Sequence, residues 1–181
     1  YAYTRSFQLS AAFLAREHVT LYCQGLDTLA TVYINGQEAG QADNMHRSWR
    51  FDVKRLLRSG ENRIRVVFAS PNRFLRQAVA ADPEVTYEAA GTMRGNHALR
   101  KAHCMFGWDW GPQLPDAGIW RPLELESWNG ERLREVRVRQ RHHRGHVTLE
   151  VTPLLLSGAE CARCRLELMH PDGSLCVRED G

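Results

Sequence analysis

Apolar and polar side chains alternate in short runs along most of this chain, and turn residues punctuate the runs. A period of two is the mark of a strand with one buried face. It predicts strands over residues 3–7, 18–23, 29–34, 37–42, 49–53, 62–69 and 118–126. Asn35-Gly36 stands between two of these runs, and both residue types tolerate positive φ, so the pair predicts a tight hairpin. One segment departs from the pattern. Residues 72–81 follow Ser70-Pro71, carry Phe74, Leu75, Ala78 and Val79 at helical spacing, and stop before Asp82-Pro83. A serine cap, an early proline and a terminating proline predict a helix there. Residues 83–100 hold no sustained period, and a loop of that length inside a compact domain is usually functional or lid-like.

Beyond Trp128-Asn129-Gly130 the texture changes. Strands are predicted over 133–141, 146–155, 165–170 and 175–177, with Pro171-Asp172-Gly173 as a turn. About four strands is short of the roughly seven that an immunoglobulin-type sandwich uses. The expectation is an all-β chain of two domains, 1–128 and a truncated 129–181.

Composition narrows the classes. The length of 181 residues allows one good-sized domain, or one plus part of a second. No apolar run approaches the roughly 18–20 residues of a membrane helix. The first residues, Tyr1-Ala2-Tyr3-Thr4-Arg5-Ser6-Phe7, lack the basic head, apolar core and small-residue cleavage site of a signal peptide. With no initiator Met, the chain is expected to begin inside a longer protein, and a targeting segment upstream stays open. Twenty-four basic and 21 acidic side chains give +3, too small and too dispersed a charge to point to nucleic acid. In the densest basic stretch, 132–144, Arg137, Arg139 and Arg141 alternate with Val136 and Val138. That reads as a solvated strand face guarding an edge, ahead of a basic interaction module. Five scattered cysteines make no disulfide framework and suit a reducing compartment, a bacterial cytoplasm being the expectation. Cys161-Ala-Arg-Cys164 lacks a second ligand pair, and His142, His143 and His146 fall at a turn between basic strands. No metal site and no cofactor are therefore expected.

The chemistry concentrates in Phe106-Gly107-Trp108-Asp109-Trp110-Gly111-Pro112. Two glycines and a proline permit a sharply bent loop. Such a loop turns Asp109 outward, with the indoles packed on either side or forming an apolar wall. Sugar sites use this combination, aromatic faces for C–H surfaces and a carboxylate that accepts from two hydroxyls. A tryptophan-rich core corner with Asp109 capping backbone amides fits the residues equally well. A retaining glycosidase needs two carboxyls about 5–5.5 Å apart; the other acidic residues, Asp27, Glu88 and Asp116 among them, are scattered, and most read as solvated turn or strand positions. No catalytic residue is assigned.

The segment Gly25-Leu26-Asp27-Thr28-Leu29-Ala30-Thr31-Val32-Tyr33-Ile34-Asn35-Gly36 resembles the sugar-binding-domain signature of glycoside hydrolase family two. Asp43-Asn44-Met45-His46-Arg47-Ser48-Trp49-Arg50-Phe51-Asp52-Val53 and Gly118-Ile119-Trp120-Arg121-Pro122 extend the likeness. Arg100-Lys101 ahead of the Trp-Asp-Trp loop resembles the β-mannosidase branch. The resemblance implies a jelly-roll, galactose-binding-like first domain whose upstream first strand is missing. It implies next an immunoglobulin-like domain, and then a catalytic (β/α)₈ barrel lying outside this chain. It implies that Asp109 binds hydroxyls of a terminal β-linked mannose, with Trp108 and Trp110 shaping and holding the loop. His103 stands where that branch commonly has Gln, a change expected to alter hydrogen bonding under the loop. A free-standing carbohydrate-binding module and an accessory domain of a related glycosidase, such as an exo-glucosaminidase, are the alternatives.

Overall fold

The computed structural model describes residues 1–84, 90–156 and 163–180, and the chain divides into two compact units, residues 1–129 and 130–181. The first unit runs β1 (Ala2–Leu9), a one-turn helix α1 (Ala11–Leu14), β2 (His18–Cys23), β3 (Leu26–Asp27), β4 (Ala30–Ile34), β5 (Gln37–Ala42), β6 (Trp49–Asp52), β7 (Gly60–Phe68), α2 (Pro71–Ala81), β8 (Gly118–Ile119) and β9 (Leu123–Trp128). A four-stranded sheet, β1-β7-β4-β5, and a three-stranded sheet, β6-β2-β9, supply the core, with β3 and β8 as a small extra pair. All these pairings are antiparallel.

Alternation places the core. Val19, Leu21 and Cys23 of β2, Ala30, Val32 and Ile34 of β4, and Val66 and Phe68 of β7 are buried in one cluster. Each fully buried aliphatic side chain of this kind contributes roughly 1.5–3 kcal/mol. Burial also pushes the Cys23 thiol up to about 12. Asn35 and Gly36 take φ of 52° and 86° and close the β4–β5 hairpin at Ile34 opposite Gln37. The Asn35 amide donates to Leu56 O and Asn62 Oδ1 at 2.9 and 2.8 Å. Asn62, wholly buried, donates in turn to the carbonyls of Arg58 and Gly60. A buried amide needs such partners, and here they tie the turn to the start of β7.

Helix α2 begins with Pro71 in its first turn, capped by Ser70, whose Oγ accepts from Arg73 N at 3.4 Å. Ser10 caps α1 in the same way, accepting from Phe13 N at 3.2 Å. The strand expected over 118–126 is instead two strands with different partners, β8 on β3 and β9 on β2. The break falls at Trp120, Arg121 and Pro122, and proline has no N–H for a ladder. There the backbone crosses to residues 24–25 through Gln24 N→Pro122 O (3.0 Å) and Trp120 N→Gly25 O (3.3 Å). Gly25 allows that approach, since a Cβ on it would stand 2.5 Å from the Trp120 indole nitrogen.

In the second unit β10 (Leu133–His143) pairs with β11 (His146–Leu155), and β12 (Arg165–Met169) pairs with β13 (Leu175–Asp180). Arg137, Arg139 and Arg141 share one exposed face of β10, where Arg141 meets Glu150 at 3.3 Å and Arg137 meets Glu135 at 2.9 Å. Exposed pairs of this type contribute about 0–1 kcal/mol each. At the 171–173 turn Asp172 accepts from the Ser174 amide and hydroxyl, which holds its carboxyl below the usual carboxylate range. Cys164 is half-buried; Cys161, and with it the Cys-x-x-Cys spacing, lies outside the described residues, as does Glu88. Among the described residues no helix is long and apolar enough to cross a membrane, and no three His, Cys, Asp or Glu side chains converge as a metal site would require.

Candidate functional site

The loop before β8 is built from its base outward. A 3₁₀ turn, His103–Phe106, delivers Phe106 into complete burial against Leu75 of α2 and Leu99, with Leu29, Phe74 and Met93 around them. Phe106 therefore belongs to a satellite cluster beside the main core. At Gly107 the backbone turns with φ of 109°. Trp108 and Gly111 then exchange backbone hydrogen bonds, N→O at 3.4 and 3.2 Å, closing a four-residue turn that holds Asp109 and Trp110 at its tip. The segment around Gly91 forms the floor. Met93 N donates to Phe106 O at 2.9 Å, and Gln113 Nε2 donates to Gly91 O at 3.2 Å. Gly91 lies so close beneath the tip that a Cβ there would be 3.0 Å from Asp109 N and Trp108 C.

This floor leaves the tip in water. Asp109 is exposed, Trp108 is 57% exposed and Trp110 is 84% exposed. The arrangement is an open aromatic edge rather than a core corner. Trp108 shapes the turn through its backbone, while Phe106, Gly91 and Gln113 make the contacts that hold it. His103 is exposed at the start of the 3₁₀ turn.

Beneath the loop is a charge cluster that periodicity does not reveal. Asp27 is not a solvated turn acid: only 4% of it is exposed. Its Oδ2 pairs with the ammonium of Lys101, whose side chain is completely buried, and its Oδ1 accepts from the Thr28 hydroxyl. The Asp27–Thr28 peptide is cis. The same Lys101 Nζ reaches Asp116 Oδ1 at 3.2 Å, on a carboxylate that is otherwise largely exposed. A buried charge is tolerated only when paired and hydrogen-bonded, and this pairing is what permits Asp27 to leave water. The available sequence signal was composition. Lys54 and Lys101 are the only lysines among 24 basic side chains, and a slim ammonium suits a narrow buried slot that a guanidinium fork does not. Asp27, buried and neutralised, has no access to a sugar and cannot partner Asp109 in acid–base work.

Fold and site together define an all-β, galactose-binding-like sandwich domain that presents an exposed Trp-Asp-Trp turn on a buried support. Residues 1–121 match the family described as glycosyl hydrolase 2 galactose-binding domain-like, and the chain belongs to that family. The chain is 32% identical over 135 residues to a β-mannosidase of Capra hircus, matching 71% of this chain and 15% of that protein. To β-mannosidase B of Aspergillus flavus it is 34% identical over 132 residues, 72% of this chain and 16% of the other. Among solved structures, a β-D-mannosidase from Dictyoglomus thermophilum superimposes with a TM-score of 0.85 at 29% identity, over 99% of this chain and 22% of that one. The chain thus spans about one sixth of the length of the curated relatives it matches.

Proposed function

We propose that this chain is the non-catalytic N-terminal region of a retaining exo-β-mannosidase. In this reading it lends a substrate-recognition loop to an active site carried on a (β/α)₈ barrel of the same protein. The observation that carries the reading is the Trp108-Asp109-Trp110 turn, exposed at its tip and fixed at its base. Asp109 accepts from hydroxyls of the terminal mannose, and the two indoles form the apolar edge beside it. The names of the relatives support mannose as the sugar. Asp27 and Asp116 both meet Lys101, so neither offers Asp109 an acid–base partner.

The test is Asp109→Asn in the full-length enzyme. Charge-assisted hydrogen bonds of about 1.5–3 kcal/mol correspond to a loss in kcat/KM of roughly 10- to 150-fold on an aryl β-mannoside, with KM raised. Unchanged kinetics would make Asp109 structural. The 181-residue chain alone should neither hydrolyse that substrate nor bind mannose tightly. Stoichiometric, tight mannose binding in calorimetry would favour a free-standing carbohydrate-binding module, and preference for a glucosaminide would favour the related branch.

A further inference from the structure

We infer that Lys101 is a positioning residue for Asp109: with Asp27 and Asp116 it forms a buried ionic clasp that fixes both stems of the recognition loop. The inference rests on the recognition role proposed for Asp109. Lys101 stands at the entry of the loop and Asp116 at its exit, with residues 102–115 between them. Asp27, on β3, is the common anchor. It pairs with the Lys101 ammonium and lies opposite Gly118 of β8 in the β3–β8 ladder, so the exit stem is tied to β3 directly through the ladder and indirectly through Asp116 and Lys101. The entry stem has a second tether, through Met45 N→Arg100 O and Ala102 N→Met45 Sδ, each 3.0 Å.

The burial pattern separates a clasp from an ordinary surface pair. The Lys101 side chain has no exposed surface, the Asp27 side chain has 5%, and the Asp116 side chain has 74%. The ammonium therefore runs through the base of the loop, with one carboxylate fixed in the core and the other closing from the solvent side. Loss of the buried charges frees the stems without touching the tip, and Asp109 then samples positions away from the sugar hydroxyls. Misplacement of a contact residue by about 1 Å is enough to weaken a site severely.

The experiment compares four variants of the full-length enzyme: Asp116→Asn, Lys101→Met combined with Asp27→Leu, Asp109→Asn, and the triple combination of the last two. Lys101→Met alone strands a buried carboxylate and risks unfolding, whereas the Lys101→Met/Asp27→Leu pair removes both buried charges together. Hydrogen exchange is read over 102–118, and KM and kcat are measured on an aryl β-mannoside. The paired variant should keep its melting transition, exchange the loop amides about tenfold faster, and raise KM about 3- to 10-fold with kcat within about twofold. Asp116→Asn should move both readouts in the same direction, less far. In the triple variant KM should equal that of Asp109→Asn, because a clasp acting only through Asp109 has nothing left to position. Native loop exchange in the paired variant would overturn the clasp, and so would a KM effect that adds fully to that of Asp109→Asn. Should Asp109→Asn leave hydrolysis untouched while loop exchange still rises in the paired variant, the recognition role of Asp109 falls and the clasp stands as a loop fastener only.

Discussion

Three glycines offer a controlled measure of how rigid the floor under the loop is. Gly107 has a φ of 109°, and a Cβ there would stand 2.5 Å from Gly91 O and 2.6 Å from Gln113 Cγ. Gly60 has a φ of 88° but would meet nothing within 4 Å. Gly111 has no positive φ, and its Cβ would meet Trp108 Cβ at an ordinary 3.4 Å. Gly60→Ala should therefore incur only the backbone cost of an L-residue at positive φ, about 1–2 kcal/mol. Gly111→Ala should be nearly neutral, or stabilising by about 0.4–1 kcal/mol through a less flexible unfolded chain. Gly107→Ala adds overpacking of about 1–3 kcal/mol against a backbone carbonyl to the same backbone cost, for a total of about 2–5 kcal/mol. Urea unfolding of the 181-residue chain, followed by circular dichroism with unchanged m-values, reads all three differences. The contact term is the excess of Gly107→Ala over Gly60→Ala. If the two variants cost the same, the Gly91 carbonyl yields freely, and the loop lacks the rigid floor on which its proposed recognition role depends.

Single substitutions in the ion cluster should follow an order set by the partner each leaves behind. Lys101→Met strands the buried Asp27 carboxylate and should cost about 3–5 kcal/mol. Asp27→Asn leaves Lys101 still paired with Asp116 and should cost less, and Asp116→Asn should cost no more than about 1 kcal/mol; denaturation midpoints that reverse this order refute the assignment. The thiols should divide by burial. At pH 8 iodoacetamide should label the exposed Cys104 and Cys176 and spare Cys23, which burial holds protonated up to about 12. A thiol whose folded value is raised above its unfolded value of 9.0 contributes fully below that pH and loses its contribution on the way to about 12. Stability should fall by up to about 1.4 kcal/mol per pH unit across that window, and a Cys23→Ala variant should lose this dependence.

Local alternation carried the β-sandwich. The strand expected over 18–23 appears with those bounds because it presents one face to the core and one outward, and that over 37–42 does so as the hairpin partner of β4. It failed where tertiary pairing cuts a run or makes one too short to have a period. Residues 118–126 read as one strand, yet Pro122 cannot join a ladder, and the halves pair with strands on different sheets. Strand β3 has two residues, fewer than any alternation needs. The loop tip was legible because its residue types are unusual together. Its support was not, since Lys101 and Asp27 lie 74 residues apart and meet only through the fold. A single aspartate in a turn-rich segment gives no local sign that a lysine will draw it out of water.

The exposure of the two indoles follows from how the loop is built. Phe106 is fully buried only two residues before Trp108, so an apolar cluster was within easy reach of the first indole. Covering a tryptophan's large apolar surface is favourable at roughly 25 cal/mol per Å², yet Gly107 redirects the chain and the Gly91 backbone fills the space beneath the tip. The tip thus stays outward against the hydrophobic effect, on a base held by Phe106 and by the buried Lys101–Asp27 pair. Such a balance is compensated when a ligand or a neighbouring domain covers the indoles in the working protein, as exposed aromatic patches on rigid supports commonly are. That is the physical case for regarding the turn as part of a composite site. In the proposed reading Asp109 supplies recognition there, the indoles supply apolar surface, and the acid–base chemistry lies elsewhere in the protein.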